Sequence, residues 1–107
     1  MVQLVDVAKS LGVATSRVHQ MVRDRQLLAF KRDRVPVLPE AFLDDEGNVL
    51  KGLPGLIAVL HDGGYEDDEI LQWLFAEDDS LPGGSPVAAM HTQSAREVMR
   101  RAQALAF

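Results

Sequence analysis

A chain of 107 residues, 47% of them hydrophobic, is sized for one compact domain or two very small subdomains sharing a core, and it can fold without covalent staples. It has no Cys, which excludes disulfides, thiolate metal sites and cysteine nucleophiles and suits a reducing cytosol. Its formal net charge of -5 is unevenly spread: residues 1–40 hold seven Lys or Arg against four acids, residues 41–107 only four against twelve. The opening MVQLVDVAKS lacks a basic region followed by a long apolar run, and no later segment approaches the roughly 18 apolar residues of a membrane span. A cytoplasmic protein with no membrane partner is the expectation.

Leu4, Val7, Ala8 and Leu11 fall at i, i+3, i+4 and i+7, the spacing of one face of a short helix. Ala8 is small where two helices would cross closely. Gly12 follows, at the place where the chain must take a positive φ to leave the helix. Thr15 is then placed to cap a second helix running to Arg25, with Val18, Met21 and Val22 returning to the first helix while Ser16, Arg17, Gln20 and Arg23 point outward. This is the pattern of a helix-turn-helix, whose second helix carries the donors a DNA-reading helix requires. A plain helical hairpin with a solvated face explains the periodicity alone. Small Ala8, turn Gly12, the later apolar trio and the clustered basic residues together favour the helix-turn-helix.

Leu27 to Phe30 and Val35 to Leu38 are short apolar runs separated by Lys31, Arg32, Asp33 and Arg34, which predicts a hairpin with a charged tip. Leu28, Phe30, Val35 and Val37 would form its inner face, and Pro36, unable to donate to a ladder, marks an edge strand. A hairpin directly after a helix-turn-helix is the wing of a winged helix. Between Lys9 and Arg34 lie all seven basic residues of the first block, with Asp24 and Asp33 the only acids, a patch suited to phosphate contacts. The candidate DNA-binding residues are therefore Thr15, Ser16, Arg17, His19, Gln20 and Arg23 on the recognition helix and Lys31, Arg32 and Arg34 on the wing. Ser16, Arg17 and Gln20 would read base edges, with Arg17 suited to guanine and Gln20 to adenine. The other cations would hold phosphates.

Phe42-Leu43 and Val49-Leu50 flank Asp44 to Asn48, which suggests a second small hairpin with an acidic turn. The alternating ligands and closing Glu of an EF-hand are missing there, so no metal is expected. The remainder reads as helical. Pro54 suits the first turn of a helix burying Leu53, Leu56, Ile57 and Leu60 and ending at Gly63-Gly64. Asp67 or Asp68 would cap the next helix, with Ile70, Leu71, Leu74 and Phe75 as its buried stripe and Trp73 beside it. Leu81 to Pro86 reads as a loop. Ser94 and Glu97 have capping-box spacing ahead of a last helix lined by Ala95, Val98, Met99, Ala102 and Leu105, with Glu97 and Arg101 supporting its outer face.

LPGLIAVLHDGGYEDDEILQWLF (53–75) and AREVMRRAQALAF (95–107) closely resemble an actinobacterial family of small winged-helix DNA-binding proteins, known from mycobacteria as substrates of a serine/threonine protein kinase. The resemblance covers nearly the whole chain. It implies a DNA-binding, transcription-factor-like protein without catalytic activity, with double-stranded DNA and a serine/threonine protein kinase as partners. Since the first helix begins within a few residues of Met1, a disordered phosphorylatable tail is not expected, which leaves Thr15 and Ser16 as the candidate acceptors. The C-terminal half also resembles, more distantly, the toxin-binding domain of certain antitoxins. That likeness implies an alternative, a protein-interaction module binding a protein partner through the acidic helical half.

The expected fold is thus mostly α with small β hairpins: a winged helix-turn-helix over 1–50 and a helical C-terminal domain over 51–107. His19, His61, His91, Tyr65 and the acids Glu66 to Glu69 form no recognisable catalytic set, and no cofactor or metal is implied.

Overall fold

The computed structural model describes residues 1–106; Phe107, the last residue of the expected C-terminal domain, lies outside the described residues. Helix α1 (Leu4–Leu11) buries Leu4, Val7 and Ala8, and α2 (Thr15–Arg23) crosses it with Val18 fully buried. Gly12 closes α1 at φ 71°: its N–H donates to the Lys9 carbonyl and that of Val13 to the Ala8 carbonyl, satisfying carbonyls that would otherwise be orphaned. The expected Thr15 cap does not form. Ala14 occupies the cap with extended backbone, so Thr15 already stands in the first turn, and no side chain caps the helix. The helix also stops at Arg23, short of the expected Arg25, because Arg25 turns left-handed at φ 61°. There the Arg25 N–H donates to the Val22 carbonyl and the Gln26 N–H to the Met21 carbonyl.

Three antiparallel strands, β1 (Val2–Gln3), β2 (Phe30–Arg32) and β3 (Val35–Leu38), form a sheet in the order β1-β3-β2. The wing is present, with Phe30 opposite Val37, Lys31 opposite Pro36 and Arg32 opposite Val35. Lys31 and Arg32 therefore belong to a strand, and the tip is only Asp33-Arg34, both at positive φ as a two-residue hairpin turn with the right twist demands. Pro36 does not mark an edge: β3 is the central strand. The sheet tolerates it because ladder pairs alternate between hydrogen-bonded and open, and with Arg32 and Val35 closing the turn the Lys31–Pro36 pair is an open one. The ring nitrogen then faces the β1 side, where β1 reaches only Val37 and Leu38. For the same reason the tip end is two-stranded, and Val35 is 38% exposed where an inner-face position was expected.

After a 3-10 turn, Glu40–Phe42, the expected second hairpin is reduced to a single bridge between Leu43 and Val49. Asp44 Oδ1 accepts the N–H groups of Glu46 and Asn48 at 2.9 and 3.0 Å, so this carboxylate organises its own turn.

The helical half comprises α3 (Leu53–Asp62), α4 (Asp67–Phe75), a short α5 (Pro86–Ala89) and α6 (Ala95–Ala106). Leu53, Leu56, Ile57 and Leu60 are buried as their spacing requires, and Pro54 lies in the first turn. The cap of α4 is Glu66, not Asp67 or Asp68; Glu66 and Glu69 form a reciprocal capping box. At α6 the Glu97 carboxylate instead accepts from Arg100 and Arg101, and the Ser94 N–H donates to Thr92 Oγ1, so the box expected there is replaced by ion pairs. Two expected core positions, Phe75 and Leu105, are 44% and 47% exposed; both lie in the last turn of their helices, and Phe75 keeps one contact with the core, its ring tilted 40° against that of Phe42 at 6.3 Å. The loop Leu81 to Pro86 folds as a 3-10 turn, Pro82–Gly84, leading into α5.

One apolar cluster runs through both halves, from Leu4, Val7 and Leu38 through Phe42 to Leu53, Leu74 and Val98. Phe42 is fully buried between them, worth about 1.5–3 kcal/mol relative to exposure. Among the described residues no helix is long and apolar enough to cross a membrane.

Candidate nucleic-acid interface

Helix α2 turns by about 100° per residue, and buried Val18 marks its inward direction. Ser16, Gln20 and Arg23 then stand nearly opposite Val18, and all three are exposed. Arg17, also exposed, lies on one flank of that stripe and His19 on the other. The His19 flank faces the sheet. Together with Val22, Arg23, Phe30, Lys31 and Pro36 it lines an apolar cleft of about 260 Å³, and with Thr15, Val35 and Pro36 a smaller one of about 160 Å³.

The nine residues singled out from the sequence therefore separate into four groups. Ser16 and Gln20 form the centre of the outward surface. Arg23 and Lys31 are brought to one cleft between helix and wing, with Arg32 and Arg34 further along the exposed hairpin. Thr15 and His19 are half-buried against the sheet, where packing limits their reach, and Arg17 lies on the flank away from the wing.

Among the described residues, none of the seven cations from Lys9 to Arg34 forms an ion pair, whereas Arg100 and Arg101 of the other half are engaged by Glu97 and Asp78. An unneutralised positive field of this kind attracts a polyanion. The patch also holds every non-glycine residue at positive φ among those described, namely Arg25, Asp33 and Arg34. Each costs of order 1–2 kcal/mol of backbone strain. Arg25 was not among the residues singled out from the sequence. The signal was the absence of Gly where the chain leaves α2, in contrast to Gly12 after α1.

Residues 1–43 match the family model described as "DNA-binding protein Rv2175c, wHTH domain", and residues 50–106 the one described as "Rv2175c C-terminal domain of unknown function". The chain is 45% identical over 112 residues to the DNA-binding protein Rv2175c of Mycobacterium tuberculosis (strain ATCC 25618 / H37Rv), covering 94% of this chain and 77% of that protein. The NMR structure of Rv2175c superposes with a TM-score of 0.87 at 44% identity, over 99% of this chain and 80% of that one.

Proposed function

This chain belongs to the Rv2175c family of winged helix-turn-helix proteins, and on that premise we propose that it is a sequence-specific DNA-binding protein acting as a transcriptional regulator. The observation that carries the reading is the basic surface shared by α2 and the wing, which forms no ion pair among the described residues. Helix α2 enters the major groove with Ser16 and Gln20 at its centre and Arg17 on its flank, each base contact supplying about 1–3 kcal/mol of discrimination. Arg23 and Lys31 hold phosphates on either side of the helix–wing cleft, and Arg32 and Arg34 hold them along the hairpin. Thr15 and His19 act from the half-buried flank, setting the spacing between helix and wing.

In this reading residues 1–50 are the DNA-binding domain and 51–107 a helical domain; the protein is not an enzyme, needs no cofactor and works in the cytoplasm. Membership of a family named for DNA binding favours it over the antitoxin-like alternative.

The test is titration of the protein against genomic fragments and random duplex DNA at several salt concentrations, beside an Arg32→Ala, Arg34→Ala variant. Salt-sensitive binding with preferred fragments, weakened in the variant, is the expected result. Absence of binding at low salt would overturn the reading.

A further inference from the structure

A second site lies in the helical half, on a surface that takes no part in the proposed DNA interface. The two residues leading into α3, the segment after α5 and the first turns of α6 line a groove of about 450 Å³. Its floor is apolar, formed around Met90 and Met99, and Lys51 and Arg96 line it as its charged residues. The methionine thioethers suit a surface that adapts to the side chain placed on it.

The charge lining this groove is opposite in sign to the net charge of the half that holds it. Residues 41–107 carry twelve acids and four cations, Lys51, Arg96, Arg100 and Arg101. Arg100 and Arg101 are neutralised by Glu97 and Asp78. Lys51 and Arg96 are exposed, form no ion pair among the described residues, and both line the groove. The two unpaired cations of an acidic half thus converge on its apolar groove.

We propose that this groove docks a short acidic segment of a protein partner, seating one large apolar side chain between Met90 and Met99 and placing carboxylates on Lys51 and Arg96. The chemistry selects against the other occupants. A nucleic acid would carry its extended phosphate backbone beyond the two cations over a half whose net charge is strongly negative, and a second copy of this chain would bring two such halves together. A short segment places its carboxylates on the two cations and its apolar anchor on the floor, so its charge is matched within the groove. The inference is independent of DNA binding, since none of these residues belongs to the basic patch.

The probe is a fluorescein-labelled decapeptide of glutamates around a central leucine pair, compared with one carrying central alanines and one carrying lysines in place of the glutamates. Methyl labelling of the protein's four methionines gives the readout, with Met1 and Met21 as internal controls outside the groove. Expected are shifts of Met90 and Met99 with the leucine–glutamate peptide, at least tenfold weaker binding of the alanine and lysine peptides, and at least tenfold loss in Lys51→Ala, Arg96→Ala. That variant should retain wild-type DNA affinity. The proposal is overturned by no shift at millimolar peptide, by equal binding of the lysine peptide, or by full affinity in the double variant. It is equally overturned if Met90 and Met99 shift with protein concentration alone, which would assign the groove to a second copy, or with duplex DNA, which would assign it to nucleic acid.

Discussion

Ser10 Oγ donates a 2.9 Å hydrogen bond to the carbonyl of Gly47, fastening the end of α1 to the acidic turn that follows the wing. Gly47 stands at φ 79°, and a Cβ there would collide with Ser10 Oγ. Gly47→Ala therefore adds left-handed strain of about 1–2 kcal/mol and displaces a hydrogen bond worth about 1 kcal/mol. A loss of about 2–3 kcal/mol is expected in urea unfolding, against about 1 kcal/mol for Ser10→Ala. An unchanged midpoint in Gly47→Ala would show that the turn is not held against α1.

Arg25 closes α2 in a conformation that glycine adopts without penalty. Replacing it removes about 1–2 kcal/mol of strain and adds about 0.5–1 kcal/mol of unfolded-chain entropy. Arg25→Gly should thus stabilise the fold by about 0.5–1 kcal/mol, while Arg25→Ala, which keeps the strain, should not. Equal midpoints for the two variants would contradict the assignment of strain to this residue.

Gln20 and Arg32 are given different work on the DNA, and their variants should fail differently. Gln20→Ala is expected to lower affinity for a preferred fragment by about 1–3 kcal/mol with little change on random duplex. Arg32→Ala should weaken both alike and reduce the slope of log affinity against log salt by about 0.9, the value for a single phosphate no longer neutralised. Equal loss on both DNAs for Gln20→Ala would remove it from base readout.

The Glu97 carboxyl is held down, from 4.5 to about 2, chiefly by hydrogen bonds from Arg100 and then Arg101. The Asp78 carboxyl is lowered as well, by the Ser80 hydroxyl and N–H and then by Arg101. For an acid whose folded value is depressed, the stabilisation is present above the unfolded value and is lost as the pH falls toward the folded one. Stability contributed by Glu97 should therefore be intact above about pH 4.5 and decline toward pH 2. Thermal melts of Glu97→Gln should show a shallower acid decline than wild type across that interval; parallel curves would show that the pair contributes nothing.

Helix positions were legible from the order of residues alone. Leu4, Val7 and Ala8, and later Leu53, Leu56, Ile57 and Leu60, repeat at the helical period, and the geometry of one helix puts them on one side whatever packs there. The outward set Ser16, Arg17, Gln20 and Arg23 follows by the same rule. Helix starts were less legible, because a cap depends on where incoming chain becomes helical. Ala14 and Glu66 hold positions that side-chain preference had assigned to Thr15 and to Asp67 or Asp68.

Strand β1 was invisible, since two residues carry no period, and it exists because β3 offers Val2 and Gln3 a ladder; that pairing made β3 central and Pro36 an interior residue. The sequence alone thus determined the helix-turn-helix, the wing and the basic character of the first forty residues, each of which needs only local spacing and composition. Tertiary structure alone decided that Arg23 and Lys31 share a cleft that Arg17 does not, and that Lys51 and Arg96 meet around Met90 and Met99. Neighbours so far apart in the chain are set by which apolar faces the common core buries against one another, and no local pattern encodes that choice.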